Sequence, residues 1–389
     1  MFLHLSQDEK FIDAARAAFE LAAPGEHAFV VVDAIGPLRH INSFQPQRMT
    51  LAQVLDPAFL ATLPSYDATF LHSLNKPNRL VVDRAPAMTR FVWLGWGYDY
   101  YGLIRAPGEL LLPQTRALMA SLRSNSRAGT LVALAKEALR SPARIPAALR
   151  LRRIGPGGRD ELSLLQKIKF FSPVLPIEYP LVRNRHPSFR PRYAAWNYAV
   201  HDIVDGVPPS IDHHAHRVVV GNSATPECNH LEAFDAIADF DGEVLVPLSY
   251  GNPTYRDAIL REGRERLGER FRPLTDYMAA DAYARLIANS SHLVMNHLRQ
   301  QGLTNVLIAL QAGTRVVMRR ENPLFSYLVG LGLQIDDIAY GLARPPLTND
   351  IVLSNRARVS AQFGAAHHAA RTRLFLDEVA HDGERTCIA

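Results

Sequence analysis

The chain has 389 residues, and its 43 Lys and Arg residues exceed its 38 Asp and Glu residues to give a formal net charge of +5 at pH 7. Hydrophobic residues make up 48% and charged residues 21% of the sequence, a composition that excludes intrinsic disorder and fibrous repeats. The two cysteines, Cys228 and Cys387, match neither a zinc-binding nor a redox spacing, which excludes a disulfide scaffold and favours a reducing, cytoplasmic compartment.

The first third of the chain alternates short apolar runs with helical patterns. A helix is predicted at Asp8–Leu21, where apolar residues recur at helical spacing. Strands are predicted at Phe2–Leu5, Ala28–Val32, Thr69–His72 and Phe91–Trp96. Strands that alternate with helices indicate a parallel sheet with helices on both faces.

The positive charge is concentrated between Arg116 and Lys169. This stretch has twelve basic and three acidic residues, a net charge of +9, which leaves −4 for the rest of the chain. Leucines are interleaved with the arginines, as in surface helices that rest on anionic lipid, although a solvated helical face explains the pattern equally well. Nucleic-acid binding is not expected, because aromatic residues for base stacking are nearly missing. There is no secretory signal pattern and no run of about 20 apolar residues, so we expect a soluble or peripheral protein.

Periodicity is lost between Ser172 and Pro209, and a linker is predicted from Pro208-Pro209 to His216. A second alternating pattern begins there. Strands follow at His216–Gly221, Glu243–Leu248, Phe271–Leu274, His292–Met295 and Arg315–Met318. Helices are predicted at His230–Ala238, Tyr255–Leu267, Ala280–Ala288, Leu303–Leu310 and Leu324–Leu331. A last helical stretch, Asn355–Val379, is expected to cross back to the first unit. The predicted fold is α/β, with two doubly wound, Rossmann-like domains (residues 1–209 and 210–354) facing a cleft, and a helix and tail at 355–389.

Ligands of such sheets bind beyond the carboxyl ends of the strands, so residues that follow a strand are the site candidates. Small polar residues after His216–Gly221 open the next helix and form a potential anion site: Asn222, Ser223, Thr225, Asn229 and His230. Ordinary capping of the helix is the commoner explanation for such residues.

Three more loops of the second half carry candidates. The loop after His292–Met295 is dense in amides and includes an arginine suited to a phosphate: Asn296, His297, Arg299, Gln300, Gln301 and Asn305. Weaker candidates follow the other two strands: Ser249, Tyr250 and Asn252 in a turn, and Thr275, Asp276, Tyr277 and Met278 where a nucleobase could stack.

In the first half, aromatic residues and one acid follow Phe91–Trp96 and suit a sugar acceptor: Trp96, Tyr98 and Asp99. Asp8 follows the first strand and His72 ends the third, and a carboxylate or imidazole is what deprotonation of a hydroxyl requires. A packed aromatic corner and helix capping are equally good explanations. The cluster Asp212-His213-His214 lies in the linker and precedes a strand, so no metal site is expected.

Six segments together resemble glycosyltransferase family 56. They are Asp8–Ile12, Trp96–Tyr101, Val218–Thr225, Asn229–Phe234, Pro247–Asn252 and Asn296–Gln301. The resemblance implies a GT-B fold, in which the C-terminal unit holds a TDP-sugar donor and the N-terminal unit meets an acceptor linked to a polyprenyl diphosphate. It also implies peripheral attachment to the cytoplasmic face of the inner membrane, and no bound metal or other cofactor.

The leading hypothesis is therefore a glycosyltransferase. Asn222, Ser223, Thr225 and Arg299 would bind the diphosphate and replace the charge neutralisation of a metal. The donor sugar and ribose would be oriented by Asn296, His297, Gln300, Gln301 and Asn305. Tyr250 and the turn Thr275–Met278 are the candidates for contact with the base. Asp8, or else Asp99, would be the general base. Two alternatives stay open: a sugar-nucleotide epimerase of the same architecture, and a basic module that binds a membrane or nucleic acid through Arg116–Lys169.

Overall fold

A computed structural model describes residues 1–34, 36–123, 145–198, 206, 216–340, 342, 344 and 347–381. These residues form two compact units. The first unit contains residues 1–104, 145–198 and 365–381, and the second contains the described residues of 105–123 and 206–364. The predicted boundary at residues 209 and 210 lies outside the described residues, as does Cys387.

The first unit is built on a parallel seven-stranded sheet. Its strands are β1 (Phe2–Ser6), β2 (His27–Val32), β3 (Gln47–Met49), β4 (Ala68–His72), β5 (Phe91–Leu94), β6 (Ile168–Ser172) and β7 (Arg192–Tyr193). They are ordered β3-β2-β1-β4-β5-β6-β7, and Phe2 of β1 pairs with His27 on one side and Ala68 on the other. The central strands β1 and β4 are buried along their whole length, as expected for a sheet covered on both faces.

Helices cover this sheet. They are Ile12–Ala22, Leu51–Val54, Pro57–Thr62, Lys76–Arg84, Tyr101–Ile104, Ile145–Ile154, Glu161–Leu165, Glu178–Arg185 and Ala365–Ala380. The last of these packs on Ile12–Ala22, and its Phe375 and Val379 join Phe19 and Phe70 in one buried cluster. The C-terminal helix thus returns to the first unit, as predicted.

The second unit has a parallel six-stranded sheet. Its strands are β8 (Arg217–Val220), β9 (Glu243–Pro247), β10 (Phe271–Leu274), β11 (His292–Met295), β12 (Arg315–Met318) and β13 (Asp336–Asp337), in the order β10-β9-β8-β11-β12-β13. Its helices are His230–Ala236, Pro253–Leu267, Ala280–Ala288, Leu303–Ala312, Pro323–Gly330 and Asn349–Phe363, and residues 113–123 are also helical. The core under the helices combines valines of β8, β9 and β11 with leucines, isoleucines and aromatic residues that come mostly from the helices.

Both sheets reverse their strand order at one point. In the first unit the chain moves outward from β1 to β3 and returns to β4 on the other side of β1. In the second unit the same reversal separates β8 from β11. The loops that leave the two central strands diverge there, which opens a crevice where doubly wound folds bind ligands. The predicted doubly wound α/β architecture is confirmed.

Several elements differ from the prediction. The single helix predicted at Asn355–Val379 is two helices, because Gly364 between them is extended (φ −73°, ψ 168°). The segment in which periodicity is lost still contains the helix Glu178–Arg185, which buries only Glu178 and Val182 and so shows no apolar repeat. Strands β3, β7 and β13 were not predicted because two or three residues are too few to show alternation.

The basic stretch is described only in part, since residues 124–144 lie outside the described residues. Leu118 and Met119 pack against the core of the second unit. In the first unit, Arg150 donates to the carboxylates of Asp83 (2.8 Å) and Asp160 (2.9 Å). These carboxylates offset part of the positive charge of the basic stretch. Among the residues with described structure, no helix combines the length and apolarity needed to cross a bilayer.

Candidate functional site

The loops after β8 and β11 meet through the side chain of Gln301. Its Nε2 donates to Asn222 Oδ1 (2.8 Å) and to Thr225 Oγ1 (3.0 Å), and it lies 3.4 Å from Ser223 Oγ. Asn222 and Ser223 are buried, whereas Thr225 and Gln301 are half-buried. Predicted donor-binding residues that are far apart in sequence are thus brought together at the switch point of the second sheet.

The loop after β9 joins the same site. The backbone N–H of Ala224 donates to the carbonyl of Tyr250, and that of Asn252 donates to the carbonyl of Ala224, both at 2.8 Å. A Cβ on Gly251 would lie 2.5 Å from the Ala224 carbonyl oxygen, so only glycine permits this close approach. Tyr250 is half-exposed, and its hydroxyl accepts a long hydrogen bond (3.4 Å) from Asn222.

The N-terminus of the helix Leu303–Ala312, which carries a partial positive charge, lies at this site. Gly302 begins the helix Leu303–Ala312 in a left-handed conformation (φ 67°, ψ 34°), and no side chain caps the first turn. The amide groups of that turn are therefore available to an anion, and the helix dipole favours negative charge there. Gly302 also lies against Asn222, because a Cβ at Gly302 would be 3.3 Å from Asn222 Nδ2.

Arg299 adds a formal positive charge beside His297. Burial, and after it the charge of Arg299, lowers the pKa of His297 to about 3, so the imidazole is neutral at physiological pH. The Arg299 side chain is half-buried and its Nη1 donates to the carbonyl of Gln300 (3.2 Å). The site is consequently electropositive through one guanidinium and one helix terminus.

Three predicted donor-binding residues are committed to the scaffold. Asn296 Nδ2 donates to the Asn229 carbonyl (2.9 Å), and Asn229 Nδ2 donates to the Asn296 carbonyl (3.3 Å) and to the Leu110 carbonyl (3.2 Å). His230 is buried, and its Nδ1 lies 3.1 Å from the Tyr255 hydroxyl. The hydrogen bonds of these residues hold the loops in position, and side chains used in this way are less available to a ligand.

Cys228 and Tyr283 belong to the site although the sequence did not single them out. Cys228 Sγ is buried under the loop after β8, 3.3 Å from His297 Nε2 and 3.4 Å from Thr225 Oγ1. The hydroxyl of Tyr283 accepts from Asn305 Nδ2 (3.1 Å). The only sequence feature that could have indicated Cys228 is its position two residues before the helix His230–Ala236. Tyr283 lies within the helix Ala280–Ala288, and no sequence feature indicates a role for it.

The weaker candidates lie at the margin of the site. Asn252 caps the helix Pro253–Leu267, where its Oδ1 accepts from the Tyr255 N–H (3.0 Å), and Ser249 is exposed. Residues Thr275–Met278 follow β10, the edge strand, which β9 separates from β8. Tyr277 is 89% exposed, so its ring is accessible for stacking.

In the first unit, Asp99 is held inside the fold. Its carboxylate accepts from the Leu74 N–H (2.8 Å), Trp93 Nε1 (2.7 Å) and the Trp96 N–H (2.8 Å), and it is 5% exposed. Burial raises the pKa of Asp99, and these hydrogen bonds oppose the shift. Asp99 therefore ties the loops after β4 and β5 together, and its geometry counts against the predicted catalytic role.

His72 is also buried, as part of a chain of hydrogen-bonded rings. His4 Nε2 lies 3.0 Å from His27 Nδ1, His4 Nδ1 lies 3.0 Å from His72 Nε2, and His72 Nδ1 lies 2.8 Å from the Tyr198 hydroxyl. Burial lowers the pKa of His72 to about 3. The predicted contact of His72 with an acceptor is therefore not supported by its position.

The other first-unit candidates are more accessible. Tyr98 is 55% exposed and its hydroxyl donates to Ser73 Oγ (2.9 Å), which follows β4. Trp96 is half-buried and its Nε1 donates to the Tyr198 hydroxyl (2.6 Å). Asp8 follows β1 and accepts hydrogen bonds from backbone N–H groups. These residues surround the carboxyl ends of β1, β4 and β5.

No group of three metal-ligating side chains is found among the residues that the structure describes. Asp212, His213 and His214, whose residue types raised the possibility of a metal cluster, lie outside them. At the candidate anion site, Arg299 and the N-terminus of the helix Leu303–Ala312 supply positive charge.

Several solved structures share this fold at low sequence identity. α,α-Trehalose-6-phosphate synthase from Burkholderia multivorans is 8% identical, with a TM-score of 0.56 over 97% of this chain and 98% of that one. HepE of Anabaena, in complex with UDP-glucose, is 13% identical, with a TM-score of 0.52 over 97% and 95%. Sucrose-phosphate synthase from Thermosynechococcus elongatus is 12% identical, with a TM-score of 0.54 over 98% and 96%. The predicted GT-B fold is confirmed.

Residues 204–360 match the family described as 4-alpha-L-fucosyltransferase, glycosyl transferase group 56. This segment contains all six strands of the second sheet and the loops that meet at Gln301. The predicted resemblance to family 56 is confirmed over these residues, and the protein is a glycosyltransferase.

Proposed function

We propose that the protein transfers an amino-deoxy sugar of the N-acetylfucosamine type from a TDP-sugar to a saccharide linked to a polyprenyl diphosphate. The reaction would belong to the synthesis of a bacterial surface polysaccharide similar to enterobacterial common antigen, at the cytoplasmic face of the inner membrane. The observation that carries the proposal is the family match over residues 204–360, which covers the loops brought together at the switch point.

The diphosphate of the donor is assigned to the ends of β8 and β11. Arg299 and the uncapped first turn of Leu303–Ala312 supply positive charge, and the hydroxyls of Ser223 and Thr225 supply donors. This arrangement neutralises a leaving diphosphate without a cation. HepE, which has the same fold, is known in complex with UDP-glucose, and this supports a nucleotide-sugar donor.

The sugar and nucleoside are assigned to the polar groups around the diphosphate. Two buried atoms, Gln301 Oε1 and His297 Nδ1, have no hydrogen-bond partner among the described residues. This is expected if a bound ligand supplies the missing hydrogen bonds. Gln300, Asn305 and Tyr250 would contact the sugar or the ribose. Thr275–Met278, with the exposed Tyr277, would contact the base.

The acceptor is assigned to the first unit. Trp96 and Tyr98 present aromatic surface at the ends of the central strands, which suits the face of a sugar ring. The helix Ile145–Ile154 carries exposed Arg152, Arg153 and Leu149, and Leu149 is 60% exposed. Each basic side chain near an anionic membrane contributes about 1 kcal/mol to binding, which supports a peripheral location.

A thermal-shift screen against TDP-, UDP- and GDP-sugars tests the donor assignment. A ligand at a hundred times its dissociation constant stabilises the protein by about 2.7 kcal/mol, and we expect this shift with TDP-sugars first. Sugar transfer is then measured with a polyprenyl-diphosphate-linked acceptor. Conversion of the nucleotide sugar in the absence of any acceptor would instead support an epimerase, and no shift with any nucleotide sugar would contradict the proposal.

A further inference from the structure

Two adjacent carboxylates follow β1 at the switch point of the first unit, and their environments differ. Asp8 accepts hydrogen bonds from the backbone N–H groups of Arg39 (2.6 Å), His40 (3.0 Å) and Ile41 (3.2 Å). Burial acts to raise the pKa of Asp8, but these hydrogen bonds outweigh it and the pKa is lowered. A carboxylate that holds a loop in this way is a weak proton acceptor.

The neighbouring Glu9 has the opposite character. Its carboxylate has no hydrogen-bond or ion-pair partner within the described parts of the chain, and the side chain is half-buried. Burial raises the pKa of Glu9, and the charges of His40 and Lys10 oppose this shift only in part. A general base works best when its pKa lies close to the operating pH, so a raised pKa strengthens Glu9 as a proton acceptor.

Glu9 follows β1, and the aromatic residues assigned to the acceptor follow β5, so both lie at the carboxyl edge of the first sheet. Burial, then the charge of Asp99 and to a smaller extent that of Glu9, raises the pKa of Tyr98. Phe11, two residues further along, contacts the ring of Trp96 with centroids 5.4 Å apart. The ends of β1 and β5 thus place one carboxylate, without a partner among the described residues, at the same sheet edge as the half-buried Trp96 and the exposed Tyr98.

We propose that Glu9, rather than Asp8 or Asp99, is the general base of the transfer reaction. The inference rests on the proposed function. The oxygen of the acceptor hydroxyl forms a bond to the anomeric carbon of the donor, and the bond from that carbon to the phosphate oxygen breaks. The nucleoside diphosphate leaves with the bonding electrons, and the proton of the hydroxyl moves to a carboxylate oxygen of Glu9.

The variant Glu9→Gln tests this assignment, because it keeps the size of the side chain and removes the base. We expect kcat to fall at least about 100-fold, which is the lower range for loss of a general base. The affinity for the donor, measured by calorimetry, and the melting temperature should stay within error of the wild type. The acid side of the pH profile of kcat/KM, which reports protonation of the base, should disappear.

Asp8→Asn is the matched control. Because the Asp8 carboxylate holds the loop at residues 39–41, we expect this variant to melt at a lower temperature and to keep the acid side of its pH profile. Transfer by Glu9→Gln at the wild-type rate would overturn the assignment of Glu9 and leave the proposed function intact. A wild-type protein that binds TDP-sugars but transfers nothing to any acceptor would overturn both.

Discussion

The side chain of Asn296 donates a hydrogen bond of 2.9 Å to the backbone carbonyl of Asn229, and Asn229 returns one of 3.3 Å to the carbonyl of Asn296. The two residues follow β11 and β8 respectively, so this pair joins the loops on either side of the switch point. Asn229 has a left-handed backbone (φ 49°), a conformation that asparagine tolerates better than most residues. The pair is therefore the framework on which the candidate donor site rests.

Replacement of Asn229 should destabilise the second unit by two separable effects. Asn229→Ala and Asn229→Gly both remove the side-chain hydrogen bonds and leave buried groups unpaired, at a cost of about 2–4 kcal/mol. Alanine also bears the left-handed backbone strain, so we expect it to be about 1 kcal/mol less stable than glycine at this position. Urea denaturation measures both values, and the exposed Asn289→Ala is the control, with a change below about 0.5 kcal/mol. Equal stability of all three variants would contradict this role.

Gly302→Ala should weaken donor binding. A Cβ at this position would lie 2.5 Å from Met295 Cε and 3.3 Å from Asn222 Nδ2, so both side chains would have to move. We expect a loss of donor affinity of at least about tenfold, or 1.4 kcal/mol, measured by calorimetry with a TDP-sugar. Gly25→Ala is a matched control, since Gly25 also has a positive φ (75°) but the methyl group that alanine adds there would meet nothing within 4 Å. Unchanged affinity in a folded Gly302→Ala protein would place the donor elsewhere.

Removal of the Arg299 guanidinium should weaken donor binding further. A hydrogen bond to a charged group contributes about 1.5–3 kcal/mol, so Arg299→Ala should raise the dissociation constant of the donor by about 10- to 150-fold. Arg285→Ala removes an exposed arginine of the same unit, paired with Asp281 at 2.8 Å, and should leave donor affinity as it is. If both arginine variants bind the donor alike, Arg299 does not contact the diphosphate.

Stability should fall as the pH is lowered below about 6.5. The pKa values of His72 and His297 are lowered to about 3, mainly by burial, so the folded state keeps these imidazoles neutral while the unfolded chain takes up protons. His72 faces His4 and Tyr198, which do not supply a compensating negative charge. Between pH 7 and pH 5 each of the two histidines should cost about 2 kcal/mol, because a pH unit is worth about 1.4 kcal/mol per proton.

Melting temperatures at pH 7 and pH 5 check this expectation. A loss of about 2 kcal/mol in a unit of this size lowers the melting temperature by about 4–8 °C. His381→Gln, which changes an exposed histidine, should show the same decrease as the wild type. A melting temperature that does not change between these pH values would show that the buried histidines do not control acid stability.

The sequence predicted the fold well because the strands that matter are short, apolar and separated by helical patterns. Val218–Val220 and Leu293–Met295 are buried on both faces and could be identified as β8 and β11 from composition alone. The order of the strands could not, because it depends on where β4 and β11 return to the sheet. Short edge strands such as β13 carry no pattern of their own.

The candidate site was predicted only as a set of polar residues after strands. Position after a strand does not distinguish a side chain that faces a ligand from one that holds a loop. Asp99 holds a loop by accepting hydrogen bonds from Trp93 and Leu74, and Asn229 does so by accepting from Leu112 and Asn296. Neither set of partners can be identified from the sequence. The contact of Gln301 with Asn222, 79 residues apart, likewise depends on the strand order.

A crystal structure of the protein with TDP, grown in the presence of EDTA, tests the assigned donor site most directly. We predict a diphosphate within hydrogen-bond distance of Ser223, Thr225 and the first-turn amides of Leu303–Ala312, with the Arg299 guanidinium against it. A diphosphate bound elsewhere in the second unit, or one that binds only when a divalent cation is supplied, would contradict this assignment.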